Sequence, residues 1–235
     1  MIAPTLAQHA GVWVVRDDLI PGGTKARIFG PLFADHTEIV YASPAQGGAQ
    51  TALAHAAAAA NKRATIFVAQ RAAPHPRSLE AKRLGATVVQ VSPGYLTVVA
   101  ARARAYCRAS GAWLLPFGAD IPGAPEIIAA AARAAYIQPD EVWCAAGSGV
   151  LMRGLALAFP KARRFAVQVG RALVPQDVAG AAIVRYPRPY DFALHGAAPF
   201  PADPHYDAKA WEVCARDHGP GVVLFWNVTG PAQLS

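Results

Sequence analysis

A lysine near the start of the chain stands in a setting that can make it reactive. Lys25 follows two glycines, Gly22 and Gly23, and these follow a polar turn that contains Asp17 and Asp18. A lysine amine whose pKa is lowered by burial can attack an aldehyde and form a Schiff base. Most lysines beside glycine turns are simply solvated, so this motif alone does not establish a nucleophile. Lys25 is therefore a candidate catalytic residue that needs support from the rest of the chain.

A second motif places glycines between an apolar run and a helical pattern. Residues 141–146 are apolar after their first position, and Gly147-Ser148-Gly149-Val150-Leu151 follows them. Glycines let the backbone approach an anion closely, and the N–H groups at a helix start attract negative charge. The motif lacks the Lys-Ser/Thr ending of a P-loop and the glycine spacing of a dinucleotide site. We therefore predict a small monophosphate at residues 147–151, where Ser148 adds a hydroxyl donor; a purely structural turn is the alternative.

The elements that must position these motifs alternate between two patterns, which predicts an α/β fold with a largely parallel sheet. Apolar runs predict strands at residues 11–15, 38–42, 64–69, 86–91, 113–116, 141–145, 165–169 and 222–226. Alanine-rich stretches predict helices at residues 50–61, 78–84, 96–110, 126–136 and 150–159. From residue 171, prolines and aromatic residues predict a long ordered loop that lasts until a helix at 208–216.

The composition limits the class of protein. Of the 235 residues, 54% are hydrophobic and only 16% are charged, so we expect a large core rather than disorder. No apolar run has membrane-spanning length and the N-terminal residues do not resemble a signal peptide, so we expect a cytoplasmic protein without a membrane partner. The three cysteines and seven histidines lack the spacing of a disulfide framework or a metal site, and we expect neither.

The charge balance bears on possible partners. The formal net charge is +7, from 22 Lys plus Arg against 15 Asp plus Glu. Such an excess favours an anionic partner, either a small phosphorylated ligand or nucleic acid. Arg102, Arg104 and Arg108 recur at helical spacing, which is more typical of a solvated helix face than of a nucleic-acid track. A solvated basic surface therefore stays as the alternative.

Taken in order, several segments resemble the fold-type-II pyridoxal-phosphate (PLP) enzymes, the family that is similar to tryptophan synthase β. The nearest branch contains aminocyclopropane-carboxylate deaminase and D-cysteine desulfhydrase. The similar segments are VVRDDLIPGGTKARIF (14–29), ASPAQGGAQTALAHAAAA (42–59), SLEAKRLGATVVQV (78–91), LLPFGAD (114–120), CAAGSGVLMRGLA (144–156) and VLFWNVTG (223–230). The resemblance implies two abbreviated α/β subdomains with the site between them. Residues 1–40 and 135–235 would form the larger, phosphate-binding subdomain, and residues 41–134 the smaller one.

The resemblance also implies roles for individual residues. Lys25 matches the lysine that holds PLP as an internal aldimine, and residues 147–151 match the loop around the cofactor phosphate. Thr229 lies near the family's late Thr or Ser, which hydrogen-bonds the pyridine nitrogen. A neutral hydroxyl there would leave that nitrogen unprotonated and moderate the ring as an electron sink. The predicted substrate contacts are the segment before the first predicted helix, with Ser43, Gln46, Gly47 and Gly48, and the possible base-stacking residue Tyr190.

The chain departs from the family pattern in both loops. The family places Asn, often preceded by Ser, where this chain has Gly48 and Gly47. The Asn contacts the cofactor's ring hydroxyl and the deaminase branch uses the Ser in catalysis, so that deaminase activity is not expected here. Ser43 and Gln46 are candidates to replace them. The phosphate loop ends in Val150-Leu151 where relatives favour Gly-Thr, which removes one hydroxyl donor.

Three functions are compatible with this sequence. The chain is short for the family, and compact members resemble bacteriophage proteins that hypermodify thymine in DNA. The first hypothesis is a PLP-dependent lyase that decarboxylates an α-glycinyl-type thymine in phage DNA. The second is β-elimination or deamination of a free small amino acid, as in a desulfhydrase. The third is a non-catalytic member that binds PLP or nucleic acid, and for any of them a homodimer is expected because family members are often dimers.

Overall fold

The computed structural model describes residues 3–233, which divide into two compact units. The first unit holds residues 3–24 together with Asp120–Pro231, and the second holds Lys25–Ala119 with residues 232–233. Each unit has its own sheet and its own helices. The chain therefore enters the first unit, leaves it after Thr24 and returns at Asp120.

Within the described residues the chain forms ten strands and seven α-helices. The strands are β1 (Leu6–His9), β2 (Val12–Arg16), β3 (Glu38–Ala42), β4 (Arg63–Ala69), β5 (Thr87–Val91), β6 (Trp113–Leu114), β7 (Glu141–Ala146), β8 (Arg163–Gln168), β9 (Ala182–Arg185) and β10 (Val223–Asn227). The helices are α1 (Ala26–Leu32), α2 (Ala49–Ala59), α3 (Pro76–Arg83), α4 (Leu96–Ser110), α5 (Ala124–Arg133), α6 (Val150–Ala158) and α7 (Asp207–Asp217).

The first unit is built on a six-stranded sheet in the order β1-β2-β10-β7-β8-β9. The β1–β2 pair is antiparallel, and the other neighbouring pairs are parallel. The faces of β7 alternate: Val142 and Cys144 pack with α5 and α6, whereas Trp143 packs with α7. Because both faces are covered, β7 and β10 are buried along their whole length, which explains their continuous apolar sequences.

The second unit is built on a four-stranded parallel sheet in the order β5-β4-β3-β6. Helix α4 covers one face, where Val99 and Ala103 pack against Val40 and Phe67. Helix α2 packs against β4, with α1 and α3 beside it. The carboxyl end of β3 leads through a short loop into α2, so that loop is held between a buried strand and a buried helix.

The structure confirms the α/β fold with largely parallel sheets. It also contains three elements that the sequence interpretation omitted: β1, β9 and α1. Strand β9 lies inside the stretch after residue 171 that was predicted as loop, and that prediction was wrong there. Strand β9 is a four-residue edge strand that pairs on one side with β8, so it needs only a short apolar run. The prolines near it favoured the prediction of a loop. Helix α1 contains Gly30 and Pro31, which weaken a helical pattern although Pro31 lies near its end.

The compact units divide the chain at positions other than the predicted ones. The predicted boundary at residue 40 would cut through β3, which pairs with β4 and β6 in the second unit. The predicted boundary at residue 134 would separate α5 from α6, yet these two helices pack tightly. A Cβ placed on Gly154 of α6 would lie only 2.5 Å from the Cβ of Ile128 in α5. Segment 25–40 therefore belongs with the second unit and segment 120–134 with the first.

Among residues 3–233, none of the helices combines the length and the apolar character needed to cross a membrane.

Candidate functional site

Two of the predicted site segments lie at the same edge of the first unit's sheet. Strands β7 and β10 are parallel neighbours, with Trp226 opposite Cys144. Their carboxyl ends, Ala146 and Asn227, therefore point the same way; Gly147 follows the first directly and Thr229 lies two residues after the second. In open α/β sheets this carboxyl edge is where ligands bind.

The backbone of the loop after β7 depends on glycine. Gly149 has φ +91°, a left-handed conformation that side chains rarely adopt. A Cβ at this position would also overlap the carbonyl group of Asp177. Asp177 belongs to a 3-10 turn, Pro175–Val178, that packs against α6. Gly149 is therefore required for both its backbone angle and its lack of a side chain.

The same loop presents donors that fit a phosphate. Helix α6 begins at Val150, and no side chain caps Gly149, so the first-turn N–H groups have no acceptor inside the helix. The Val150 N–H donates to the Ser148 hydroxyl oxygen at 3.5 Å, and that hydroxyl can itself donate to an anion. No acidic residue occupies the first turn of α6. Val150 is buried and the partly buried Leu151 packs against the core, so they would contribute main-chain groups only.

A tyrosine–aspartate pair at the start of α7 connects this loop to Thr229. The Tyr206 hydroxyl donates to the Ala145 carbonyl at 3.3 Å and accepts from the Gly147 N–H. Its ring is partly exposed, but the enclosed hydroxyl end is desolvated, which raises the pKa of Tyr206 well above its usual value. The neighbouring Asp207 is fully buried, and its carboxylate accepts the N–H groups of Val228 and Thr229 at 3.1 and 3.2 Å.

Arg171 lies beside the same loop. Its guanidinium donates to Asp177 at 3.1 Å and to the Ser148 carbonyl at 3.4 Å. The hydrogen bond from Arg171 lowers the pKa of Asp177. This pair braces the turn that faces Gly149.

A buried network in the first unit fixes the residue that precedes Lys25. The Thr24 N–H donates to the Val228 carbonyl at 2.9 Å, and the Thr24 hydroxyl donates to Asp17 at 2.9 Å. The Trp226 indole N–H donates to the Thr24 hydroxyl, also at 2.9 Å. Asp17, Thr24 and Trp226 are each at most 3% exposed.

Gly23 is needed for the same reason as Gly149. It has φ +67°, and a Cβ there would overlap the Val228 carbonyl and lie 3.0 Å from the Cβ of Thr229. Lys25 is the last residue of the 3-10 turn Gly23–Lys25 and immediately precedes α1. The two glycines before Lys25 thus belong to a turn that can form only when position 23 lacks a side chain.

The loop after β3 in the second unit holds the predicted substrate contacts Ser43, Gln46, Gly47 and Gly48. The Ser43 hydroxyl donates to the Pro44 carbonyl at 2.9 Å. A Cβ on Gly47 would lie 2.7 Å from that hydroxyl oxygen, so a serine at position 47 would not fit this loop without a shift. Gln46 is buried.

Gly48 has a backbone conformation that does not require glycine. It has φ −64° and ψ −14°, an ordinary helical conformation that any residue adopts. Its carbonyl accepts the Ala52 N–H and the Thr51 hydroxyl at the start of α2. The backbone angles at position 48 therefore do not exclude the asparagine that the family usually has there.

Tyr190, the remaining predicted contact, lies in the irregular segment of the first unit. Its carbonyl accepts from the Lys209 amine at 3.0 Å, and the Pro189 carbonyl accepts from the same amine at 2.9 Å. Lys209 is fully buried, and this desolvation lowers its pKa although Asp191 and Asp203 oppose the shift. Tyr190 is close enough to Tyr206 to contribute to raising that residue's pKa.

The sequence pattern of the family described as pyridoxal-phosphate dependent enzyme matches residues 2–223. The chain belongs to this family. No curated protein sequence matches it.

Solved structures of family enzymes share the fold. An ACC deaminase homologue superimposes with a TM-score of 0.77 at 15% identity, covering 93% of this chain and 84% of that chain. The processed form of threonine deaminase isoform 2 from Solanum lycopersicum gives 0.73 at 15% identity, covering 100% and 80%. An O-acetylserine dependent cystathionine beta-synthase from Helicobacter pylori gives 0.72 at 14% identity, covering 97% and 92%. At these identities the likeness establishes the fold-type-II architecture.

PLP is the cofactor of this family, and the loop at residues 147–151 fits its phosphate. A left-handed glycine, main-chain donors and one hydroxyl surround a position where an anion would be bound by N–H groups rather than by a cationic side chain. Membership of the family makes Lys25 and Thr229 candidates for the aldehyde and ring ends of the cofactor.

The sequence interpretation missed several residues that shape these loops. Tyr206 and Asp207 hold the loop after β7 and Thr229, and Gln50 braces the loop after β3: its side-chain amide donates to the Pro44 and Ala45 carbonyls at 3.0 and 2.8 Å. A polar residue inside an apolar helical pattern, such as Gln50, is a signal that could have revealed the brace. Nothing local distinguishes Asp207, because its partners lie about twenty residues further along the chain.

Proposed function

We propose that this PLP-dependent enzyme is a lyase that acts on an α-amino-acid group, with Lys25 as the residue that binds the cofactor. When bound, PLP supplies an aldehyde that condenses with amines and a ring that withdraws electrons from the substrate's α-carbon. The first-turn N–H groups of α6 and the Ser148 hydroxyl would hold the phosphate. Thr229 would offer the ring nitrogen a neutral partner, and the Lys25 amine would carry a proton to or from the α-carbon.

We further propose that the bond broken is the one between the α-carbon and the carboxylate. This proposal is based on the limited space around Gly47. A Cβ at position 47 would lie 2.7 Å from the Ser43 hydroxyl oxygen, so a side chain there would require Ser43 to shift, and the Ser43 hydroxyl already donates to Pro44. Loss of CO₂ needs no base to break the bond and only one proton for the α-carbon afterwards, which the Lys25 amine can supply. β-Elimination and deamination would instead start with removal of the α-hydrogen, so the bond that is aligned with the ring decides between the reactions.

For the substrate, we propose an α-glycinyl-type thymine carried in DNA. The net charge of +7 supports an anionic substrate. The loop after β3 also supports it, since Gly47 and Gly48 provide no side chains to enclose a free amino acid. A carboxylate aligned by main-chain groups of this loop would leave in the direction that the cofactor ring favours.

The experiment compares two substrates with the same purified, PLP-loaded protein. One is an oligonucleotide with a single α-glycinylthymine, and the other is a set of free small amino acids. We expect the oligonucleotide to lose the mass of one CO₂ and the free amino acids to persist. Release of ammonia or sulfide from the free amino acids, with unchanged DNA, would instead establish the elimination chemistry.

Lysine variants identify the residue that binds the cofactor. Lys25→Ala should abolish both the visible absorbance of bound PLP and the release of CO₂. Lys62→Ala, which changes an exposed lysine in the second unit, should leave both intact. Wild-type turnover in Lys25→Ala would show that another residue does this chemistry.

A further inference from the structure

The second unit contains a mainly apolar cavity that one arginine borders. It encloses about 310 Å³ beside α4, at the carboxyl ends of β3 and β6. Its walls are mainly apolar, and it is lined among others by Ala42, Leu96, Ala100, Leu114 and Phe117. Phe117 is 42% exposed and lines the cavity, so part of this residue is accessible to a ligand. A cavity of this size with apolar walls suits a small planar group.

A guanidinium without a partner stands at this cavity. Arg104 lines it and is exposed, and within residues 3–233 it forms no hydrogen bond or ion pair. Helix α4 has the sequence LTVVAARARAYCRAS and contains no acidic residue. Arg108 follows Arg104 by one helical turn and therefore lies on the same face.

Several other arginines of the chain pair with carboxylates, which Arg104 does not do among the described residues. Arg163 pairs with Glu141, Arg171 with Asp177 and Arg216 with Asp217. Arg104 and Arg108 have no carboxylate on their own helix to pair with. An exposed cation that the protein does not neutralise is suited to neutralising an anion of a ligand.

We propose that this cavity is a subsite for one nucleotide, with the base against Phe117 and the phosphate at Arg104. The inference rests on the proposed function, because it names the part of the substrate that the second unit recognises. A base is a planar, largely apolar group of the kind that fits the cavity. A phosphate would provide the negative partner that Arg104 does not have within the described residues. Tyr95, which is 85% exposed at the residue before α4, offers a second ring on which a neighbouring base can stack.

The nucleotide can come from a DNA strand or from a free mononucleotide. A fluorescent oligothymidylate and thymidine monophosphate, used as competitor, distinguish the two sources. Competition at similar concentrations of nucleotide units would indicate a mononucleotide site. Binding of the oligonucleotide alone would indicate that Arg108 and Tyr95 engage neighbouring units of a strand. Absence of binding by both would overturn the proposal.

The decisive test uses two arginine variants of the PLP-loaded protein. Arg104→Gln removes the cation at the cavity, and Arg102→Gln removes an equal charge from the same helix at a position that does not line it. Fluorescence anisotropy at several salt concentrations measures oligothymidylate binding. We expect Arg104→Gln to reduce the slope of log affinity against log salt by about 0.7, the share of one phosphate contact on a single strand. Arg102→Gln should leave the slope unchanged, and equal losses in both variants would indicate diffuse attraction and overturn the subsite.

A variant of Phe117 tests the base separately from the phosphate. Phe117→Leu keeps an apolar side chain but removes the ring, so binding should weaken by about fivefold or more. Phe117→Tyr keeps the ring and should bind as the wild type does. Wild-type binding by Phe117→Leu would contradict a base in the cavity.

The outcome separates this inference from the proposed reaction. DNA binding that depends on Arg104, in a protein that releases no CO₂, would support the subsite and reject the decarboxylation. Release of CO₂ from DNA, in a protein whose DNA binding does not depend on Arg104, would support the decarboxylation and reject the subsite.

Discussion

The loops after β7 and β3 start from the same kind of element but are held in different ways. Each follows a parallel strand that is buried along its whole length, and each leads into a helix. The backbone path of the loop after β7 is set by its main chain, through the left-handed Gly149 against Asp177, and Tyr206 contacts the loop from α7. The loop after β3 is fixed by a side chain, because Gln50 reaches back to two of its carbonyl groups.

This difference explains which departures from the family pattern each loop tolerates. A phosphate bound by main-chain N–H groups would not need the side chains at positions 150 and 151, so Val150 and Leu151 are compatible with the proposed phosphate loop. In the loop after β3, glycine at positions 47 and 48 leaves out the side chains that the family pattern places there. Under the proposed function, the loop after β7 would keep its cofactor-binding role while the reaction would differ from that of related enzymes.

The largest effect is expected from Gly149→Ala in the loop after β7. The variant combines a strained backbone angle with an overlap on the Asp177 carbonyl, and should cost about 3 kcal/mol of unfolding free energy. Its affinity for PLP should fall with it. Gly180→Ala is the matched control, since Gly180 has φ +72° and open space around a Cβ, and should cost only about 1 kcal/mol. Urea unfolding and PLP titration measure both quantities, and equal losses in the two variants would remove the special role of Gly149.

Gln50→Ala tests the loop after β3 and should have the next largest effect. Gln50 is fully buried and also accepts a hydrogen bond from Ser78 at 2.8 Å. Leaving the Ala45 carbonyl and the Ser78 hydroxyl without this partner should cost about 2 kcal/mol. We expect KM for the substrate to rise while the affinity for PLP stays unchanged.

The control for this variant is Gln70→Ala, which changes an exposed glutamine in the same unit. It should alter neither stability nor KM. A parallel fall in PLP affinity for Gln50→Ala would mean that the two loops do not divide cofactor and substrate between them.

The fold was largely predictable from sequence, and the exceptions have physical reasons. The limits of β3 and α4 were predicted correctly because a continuous apolar run and an alanine-rich stretch are visible in the local sequence. Strand β9 was not predicted because an edge strand needs few apolar residues. Helix α1 was not predicted because it contains Gly30 and Pro31.

For the site, the glycine motifs at Gly23 and Gly149 were visible because each glycine is required by its own backbone angle. The residues that hold those motifs were not visible. Trp226 reaches Thr24 across 202 positions of sequence, and Tyr206 reaches Ala145 across 61. Such partners are determined by tertiary contacts that no local pattern encodes.

Tyr206→Phe tests whether the loop after β7 depends on a side chain at all. Removing the hydroxyl deprives the Ala145 carbonyl and the Gly147 N–H of their contact, which should cost about 1 to 2 kcal/mol and weaken PLP binding. Tyr186→Phe removes a hydroxyl that contacts Glu212 near the surface, and should change stability by about 0.5 kcal/mol or less. If PLP binding is unaffected in Tyr206→Phe, the main chain alone maintains the phosphate loop, and the contrast with the loop after β3 becomes sharper.

The smallest effect concerns His55, which lies on α2 one and a half turns beyond Gln50 and reports how well that helix is enclosed. Desolvation lowers the pKa of His55 below its usual value, although Glu80 opposes the shift. At a pH above about 7 the imidazole is neutral in both the folded and the unfolded chain. As the pH falls below about 6.5 the unfolded chain takes up the proton first, so the unfolding free energy should decrease until the folded-state pKa is passed. His55→Gln should reduce this pH dependence, and NMR titration of the imidazole gives the folded-state pKa directly. A midpoint at or above about 6.5 would mean that α2 is more open to water than a brace through Gln50 requires.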